Sequence, residues 1–459
     1  MQTRLFDPSL EQADPACGRV GSAPLANCVT IQLTFSGAAA DYDIALRRRL
    51  RSELAERLKL ELSSLRPGRA ARDNMLVDGR FDVYVDLPKE VLAASDERPH
   101  ALADEIAGWE GGELAGLTLN EALVRPDFPT CAREYDPAAA WWLALLSGLA
   151  YREKEFAARH LELDGFSKVT FFDVNGTQGF LAQHPGMGRH GPFAVLSFRG
   201  TENDFKDLLT DIRIAKKRVR CDGHTAHEGF VSALDEVWSA PSPPQWEGKR
   251  INVGWYGYDG VEQALDAIEA RGPLFMTGHS LGGALATLAA YRRPPAALYT
   301  FGSPRVAGTD LAAHLNGEAG LNAWRVVNST DIVPRVPPPF GYRHVGNLVY
   351  LTFEGGVAQY KSGLKALGRY VFELYCRLGM LALSLLPRSL TKLRTPGVFG
   401  NHKITEYIRK LEGNLPSPVP PSTEPHALAS GLSTHSTEPH SLPSNSGDNS
   451  PIDVTRKAA

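Results

Sequence analysis

The chain has 459 residues, of which 43% are hydrophobic and 22% charged, and its formal net charge is -3. This composition is ordinary for a globular protein and supplies enough apolar residues for a large core. The near-neutral charge argues against general nucleic-acid binding, because that function needs a basic surface to contact phosphates.

The cysteines are scattered along the chain and odd in number. They are Cys17, Cys28, Cys131, Cys221 and Cys376, and no two of them form a C-x-x-C pair. We therefore expect neither a disulfide framework nor a zinc site, but reduced thiols in a cytosol-like compartment.

The N-terminus and the apolar segments bear on location. Residues 1–25 carry acids and prolines where a signal peptide has an apolar run, so they predict an irregular segment and no Sec export. No window reaches the roughly 18 uninterrupted apolar residues of a membrane span. The nearest, Val371–Leu386, is interrupted by Glu373 and Arg377 and indicates a buried or interfacial helix. We predict a cytoplasmic protein and leave open a transient contact with a lipid surface.

Residues 26–125 alternate between strand and helix patterns. CVTIQLTFSG, GRFDVYVDLP and LTLNEALVR have the alternating or β-branched texture of strands, and a further strand is an option at 74–77. DYDIALRRRLRSELAERLKLEL places leucines four residues apart, which predicts a helix with Asp41 as N-cap, and PHALADEIAGWE predicts a second helix. The order indicates a small α+β accessory domain. It offers no catalytic cluster, so either a regulatory or interaction role with an unknown partner, or packing alone, remains open.

From Ala138 the texture changes to that of an α/β domain. WWLALLSGLAY predicts an apolar helix, and VTFFDVNGTQGFLAQH a hairpin that turns at Asn175-Gly176. FAVLSFRGT, INVGWYG, PLFMTGHS, AALYTFGSP, AWRVVNST and LVYLTF then predict strands, separated by helical stretches. This alternation favours a doubly wound, mainly parallel sheet. The tail over 415–459 is rich in Pro, Ser and Thr, which predicts disorder.

One segment carries a catalytic pattern. In PLFMTGHSLGGALATLAAYRR an apolar strand runs into Gly278-His279-Ser280-Leu281-Gly282 and then into a helix of small residues. This is the strand–turn–helix context of a nucleophile elbow, in which the serine hydroxyl stands above the sheet. The glycines allow strand and helix to approach closely, and the helix N-terminus favours developing negative charge. The segment predicts Ser280 as a nucleophile.

Several motifs together resemble the class 3 lipases, the family of the fungal triacylglycerol lipases. GHSLGGALA, TFGSPRVAG and VNSTDIVPRVPP occur in that order, preceded by AVLSFRGTENDFKDLLTDI and HEGFVSAL and followed by YRHVG and HKITEYI. The resemblance covers about 136–412 and implies an α/β-hydrolase fold and hydrolysis of lipid esters. The accessory domain and the tail lie outside it.

The resemblance also implies the remaining site residues. Asp331 is the expected catalytic acid, which follows a strand at its carboxyl end, and His402 the expected base, with His344 as a rival. The expected oxyanion donors are the backbone N–H groups of Leu281 and Thr201. The alternatives are that Asp331 only caps a turn and that Arg199–Thr201 only ends a strand.

Other residues near these motifs have open interpretations. We expect the His279 side chain to point away from Ser280, and His227 to pack behind the site. Two apolar segments are either parts of a lid or membrane contact, or ordinary core: the helix pattern at Phe205–Ile212 and the insertion over 354–400, which departs from the family. The basic run 214–220 is either a head-group contact or a solvated surface.

The expected reaction is acyl transfer through an acyl-enzyme, with a lipid ester as substrate and without a metal or organic cofactor. Two alternatives stay open. One is a small-ester esterase or acyltransferase with the same triad. The other is an inactive hydrolase fold that serves as a binding module.

Overall fold

A computed structural model describes most of the chain. The termini and several internal segments are not among the described residues. The described residues are 28–38, 44–59, 71–74, 79–88, 108–130, 134–187, 190–201, 216–219, 223–239, 260–268, 272–360, 368 and 400–415. Several sequence predictions therefore lie outside them: residues 1–25, most of the second accessory-domain helix, the lid segment, the strand INVGWYG, the apolar segment Val371–Leu386 and nearly all of the tail.

The N-terminal residues form an antiparallel sheet with one described helix. In chain order the elements are β1 Cys28–Ser36, α1 Ile44–Arg57, β2 Ala71–Asp73, β3 Arg80–Pro88, β4 Glu113–Leu114 and β5 Leu117–Arg125. The strand order is β2-β3-β1-β5-β4. The leucines that predicted the helix face the sheet, and Leu50 and Leu54 are almost fully buried against residues such as Ile31 and Val83. This confirms a small α+β unit.

One strand option of this unit lies largely outside the described residues. It was a strand at 74–77, of which only Asn74 is described, directly after the end of β2 at Asp73. Asn74 donates from its side-chain amide to the buried Asp82 carboxylate at 2.8 Å, and its backbone N–H donates to Arg80 O at 2.8 Å. These two hydrogen bonds join Asn74 to the neighbouring strand β3.

The remaining elements build an α/β domain. They are α2 Pro137–Leu149, α3 Lys154–Leu163, β6 Lys168–Val174, β7 Thr177–His184, β8 Phe193–Phe198, β9 Lys216–Val219, β10 His224–His227, α4 Glu228–Trp238, α5 Gly260–Asp266, β11 Leu274–His279, α6 Leu281–Arg292, β12 Ala297–Phe301, β13 Ala307–Gly308, α7 Thr309–Ala313, β14 Ala323–Asn328, β15 Tyr342–Arg343, β16 Asn347–Leu351, β17 Val357–Tyr360 and α8 Ile404–Glu412.

The central sheet has eight strands in the order β17-β16-β14-β12-β11-β8-β7-β6. The five strands from β16 to β8 pair in parallel, and the pairs at both edges are antiparallel. Strands β8 and β12 are buried at every position, as expected of a sheet with helices on both faces. One face packs on a core that includes α2 and α8, and the other on a core that includes α4 and α6. The predicted α/β-hydrolase class is confirmed by this mainly parallel, doubly wound arrangement.

A smaller sheet has the order β15-β13-β10-β9. The basic run predicted from the sequence lies partly in β9, which pairs antiparallel with β10. Among the helices of the described residues, none has the length and apolar character needed to cross a membrane.

The N-terminal sheet contacts the α/β domain through Arg125, the last residue of β5. The Arg125 guanidinium pairs with the Asp164 carboxylate at 2.8 Å, and both side chains are 6% exposed. It also lies 4.3 Å from the Trp142 ring and 5.0 Å from the Tyr84 ring. Aromatic faces attract cations, so this residue joins the N-terminal sheet to α2 and to the end of α3 by charge and by cation–π contact.

Candidate active site

The backbone at Ser280 forms a sharp turn between β11 and α6. Ser280 has φ 57° and ψ -128°, a conformation that L residues adopt only when their surroundings enforce it. A Cβ at Gly278 would lie 2.3 Å from Gly282 C, and a Cβ at Gly282 would lie 2.2 Å from Phe198 O. Both glycines are therefore required by close backbone approach, and the turn holds Ser280 at the carboxyl end of the sheet.

His402 lies between the other two residues expected in the triad. Its Nε2 is 2.9 Å from Ser280 Oγ, and its Nδ1 is 2.9 Å from Asp331 Oδ2 and 3.1 Å from Asp331 Oδ1. Ser280 is 1% exposed and Asp331 fully buried, whereas the His402 side chain is 15% exposed. The three residues form a continuous hydrogen-bonded chain from the hydroxyl to the carboxylate.

The Asp331 carboxylate accepts two further hydrogen bonds. The Val333 backbone N–H donates to Oδ1 at 2.9 Å, and the Tyr407 hydroxyl donates to Oδ2 at 2.5 Å. Burial and the negative charge of Asp331 raise the pKa of Tyr407 well above its usual range, so its hydroxyl keeps the proton that it donates. These donors fix the carboxylate and stabilise its charge where no water reaches it.

A buried polar network holds the turn that carries His402. The Asn328 amide donates to Asn401 O at 3.0 Å, and the Asn401 amide donates to Thr330 Oγ1 at 3.0 Å. The Lys410 ammonium, which is 6% exposed, donates to Asn328 Oδ1 at 2.7 Å. The network ties the turn before α8 to the end of β14. It therefore fixes the backbone position from which the His402 side chain extends.

The other histidines near the motifs have different surroundings. His344 Nε2 lies 2.9 Å from Pro334 O, and burial together with the charges of Arg325 and Arg305 lowers its pKa well below the usual value. None of the contacts described for His344 reaches Ser280 or Asp331. Because a carbonyl only accepts, Nε2 of His344 carries a proton and holds the loop after Asp331.

His227 is 2% exposed and packs against the rings of Phe230 and Tyr342. Neither of its ring nitrogens has a hydrogen-bond partner within the described part of the chain. Burial lowers its pKa. It is a packed, neutral core residue, as expected from its place in the sequence.

The segments that carry the expected oxyanion donors flank Ser280. A Cβ at Gly200, the residue before Thr201, would lie 3.1 Å from Ser280 Cβ. Leu281 is the first residue of α6, where backbone N–H groups have no partner within the helix. The two predicted donors thus belong to backbone segments next to Ser280, and their role in binding an oxyanion stays a prediction.

Sequence reasoning missed several polar residues of the site. The sequence analysis included Tyr407 only as part of the motif HKITEYI. It predicted no role for Asn328, Lys410 or Tyr151. The signals available were a lysine on the apolar side of α8 and an asparagine at the end of a buried strand. Such residues need internal partners, because unpaired buried polar groups are costly.

The comparisons with known proteins agree with this geometry. The profile of the family described as Lipase (class 3) matches residues 195–341, which include Ser280 and Asp331. The chain is 35% identical over 201 residues to a secreted mono- and diacylglycerol lipase 1 from Fusarium solani. This part of the chain is similar to the class 3 lipases.

Other proteins that are similar to this part of the chain have related names. A lipase from Rhizopus niveus is 33% identical over 162 residues, and a phospholipase A1-II 1 from Oryza sativa subsp. indica is 28% identical over 202 residues. The solved structure of lipase II from Rhizopus niveus aligns with 22% identity and a TM-score of 0.37, over 50% of this chain and 86% of that chain.

The match covers only part of each protein. The alignment with the Fusarium relative takes in 41% of this chain and 53% of that relative, and the one with the Rhizopus lipase 33% and 36%. The name of the Fusarium relative describes a secreted protein, so the comparison gives no support to the cytoplasmic location predicted from the sequence.

Proposed function

We propose that the protein is a serine carboxylic ester hydrolase that acts on lipid esters through an acyl-enzyme. The observation that carries the proposal is the hydrogen-bonded chain from Ser280 Oγ through His402 to the buried Asp331. Relatives named as lipases and as a phospholipase A1 support the lipid-ester class.

The reaction begins with attack of Ser280 Oγ on the ester carbonyl carbon, while His402 Nε2 takes the hydroxyl proton. Asp331 holds the imidazole in the tautomer that leaves Nε2 free to accept and stabilises the imidazolium that forms. The tetrahedral oxyanion is bound by the backbone N–H groups of Leu281 and Thr201.

Collapse of the intermediate expels the alcohol, which takes the proton from His402. Water then attacks the acyl-enzyme with His402 again as base, the acid leaves, and Ser280 regains its proton. His402 accepts and returns the proton in both steps. The proposed reaction requires no metal or organic cofactor.

The N-terminal unit lies outside this chemistry. We propose that residues 26–125 form an accessory domain anchored to the lipase domain, taken as 136–412, through Arg125. The residues of the proposed site all come from 136–412, and we propose for the accessory domain a regulatory or interaction role with an unknown partner, with packing alone as the alternative.

Hydrolysis of p-nitrophenyl esters with short, medium and long acyl chains tests the proposal. We expect Ser280→Ala, Asp331→Asn and His402→Ala each to lower kcat about 10⁴-fold, because the triad acts as a unit. His344→Ala tests the rival base, and we expect it to lower kcat far less than the three triad substitutions, because His344 only holds the loop after Asp331. Strong loss with His344→Ala and not with His402→Ala would contradict the assignment of the base.

The chain-length profile separates the candidate activities. A preference for long acyl chains fits a lipase or phospholipase A1, and a preference for short chains fits a small-ester esterase. Absence of turnover on every ester, by the full chain and by a variant without residues 1–125, would instead favour an inactive fold used as a binding module.

A further inference from the structure

His279, the residue before the expected nucleophile, makes contacts that no step of the proposed reaction uses. Its Nε2 lies 2.6 Å from the backbone O of His402, and its Nδ1 lies 2.8 Å from Tyr151 Oη. The side chain is almost fully buried, and its ring centroid is 4.6 Å from that of His402. The side chain thus points away from the Ser280 hydroxyl, as expected, but toward the base.

The partners of the His279 ring determine its tautomer. A carbonyl only accepts, so Nε2 of His279 carries the proton and donates it to His402 O. Nδ1 is then an acceptor for the Tyr151 hydroxyl. Burial and the neighbouring His402 lower the pKa of His279 well below its usual value, so this ring stays neutral when the His402 ring becomes charged.

Tyr151 connects this pair to the segment before Thr201. A Cβ at Gly200 would lie 2.1 Å from the Tyr151 hydroxyl and 2.6 Å from His279 O. The hydroxyl therefore lies directly against the backbone at the end of β8. The turn after α2, the elbow and the turn before α8 meet here, although Tyr151 and His279 are 128 positions apart in the chain and His279 and His402 are 123 positions apart.

We propose that His279, oriented by Tyr151, is a positioning residue that holds the backbone carbonyl of His402 and thereby sets the distance of the catalytic imidazole from Ser280. The proposal rests on the proposed ester hydrolase function. A backbone anchor is needed because His402 lies in a short turn, Gly400–His402, rather than inside α8. Its ring is partly exposed, so packing alone does not fix it.

Two amide substitutions at the same position separate the hydrogen bond from packing. The amide nitrogen of His279→Gln reaches the place of Nε2 and retains a donor to His402 O. The amide of His279→Asn reaches only the place of Nδ1, so His402 O loses its donor. His314→Gln is the control, since His314 stacks on His224 in another part of the domain.

The readouts are kcat and KM for p-nitrophenyl butyrate and the rate at which a fluorophosphonate labels Ser280. For His279→Asn we expect kcat to fall about 100-fold with KM unchanged, because a misplaced catalytic group loses near-attack geometry. His279→Gln should keep kcat within roughly tenfold of the wild type. The kcat of Tyr151→Phe should lie between those of the two His279 variants, because this substitution removes about one hydrogen bond. Labelling rates should follow the same order.

Several outcomes would overturn the proposal. Equal losses in the Asn and Gln variants would mean that the ring acts by packing, and wild-type kcat in the Asn variant would mean that the anchor is not needed. If the wild type turned over no ester, the proposed function would fail, but the order of Ser280 labelling rates would still decide the role of His279. Absence of labelling in the wild type would contradict both proposals.

Discussion

At the scale of single residues, the buried Asp331 carboxylate is the centre of the site's electrostatics. It accepts from the His402 ring, the Val333 backbone and the Tyr407 hydroxyl. A buried carboxylate is tolerated only when several donors compensate its lost hydration. The same donors leave His402 one way to orient its ring, with Nδ1 toward Asp331 and Nε2 toward Ser280.

Removal of the Tyr407 hydroxyl tests how much one hydrogen bond to the Asp331 carboxylate contributes to kcat. We expect Tyr407→Phe to lower kcat roughly tenfold with little change in KM, since a hydrogen bond to a charged group contributes about 1.5–3 kcal/mol. Steady-state kinetics on p-nitrophenyl butyrate measure the effect. Tyr291→Phe, which removes a hydroxyl that lies 3.2 Å from His224 Nδ1, is the control. A wild-type kcat for Tyr407→Phe would show that this donor has no part in orienting the carboxylate.

At the scale of elements, the contact between β11 and α6 fixes the position of Ser280, the proposed nucleophile. The helix begins directly after Ser280, and its first turn packs on the backbone of β8 through Gly282. A Cβ at Gly283 would lie 2.8 Å from Ser303 Cβ. The next residue of the helix is therefore also restricted to glycine. The first turn of α6 therefore has no room for a side chain at Gly282 or Gly283.

Gly282→Ala should destabilise the protein by about 3 kcal/mol, because its Cβ meets the Phe198 carbonyl and the backbone must shift. The midpoint of urea unfolding measures this loss, and the rate of Ser280 labelling should fall as well. Gly317→Ala is the matched control, as nothing lies within 4 Å of a Cβ at Gly317. Similar unfolding midpoints for the two variants would contradict the close approach of helix and strand.

At the scale of the whole molecule, carboxylates of the N-terminal unit influence the charge of a residue on the helix that follows His402. Burial and the carboxylates of Glu121, Asp82 and Glu110 raise the pKa of Glu412, at the end of α8, to about 7, while Arg125 opposes the shift. A carboxyl group with a raised pKa is neutral in the fold below that value. Its contribution to stability is complete below about pH 4.5 and is lost as pH rises through about 7.

Glu412→Gln should therefore raise the unfolding free energy at pH 8 by on the order of 2 kcal/mol, and by less at pH 5. Urea unfolding at both pH values measures the difference. Glu406→Gln is the control on the same helix, since Glu406 pairs with the exposed Arg409. A gain that is equal at both pH values, or larger at pH 5, would refute the raised pKa of Glu412 and with it the influence of the N-terminal carboxylates on α8.

The sequence by itself determined the features that depend on neighbours along the chain. The elbow follows from glycines spaced around Ser280 between a strand and a helix, and the sheet-facing side of α1 from leucines four residues apart. Both are local because a turn or a helix face is set by backbone geometry over a few residues. The family resemblance supplied Asp331 and His402, and the matched family profile spans the first of them.

Only the tertiary structure decided which side chains meet across long distances in the chain. His344 and His402 both follow Asp331, and the sequence left them as rivals, because no local pattern says which imidazole reaches Ser280. The parallel strand order brings β14, the elbow and the turn before α8 to one edge of the sheet. There His402 meets Ser280, and His279 meets the His402 carbonyl. Contacts between residues more than a hundred positions apart depend on this strand order, which periodicity and spacing do not encode.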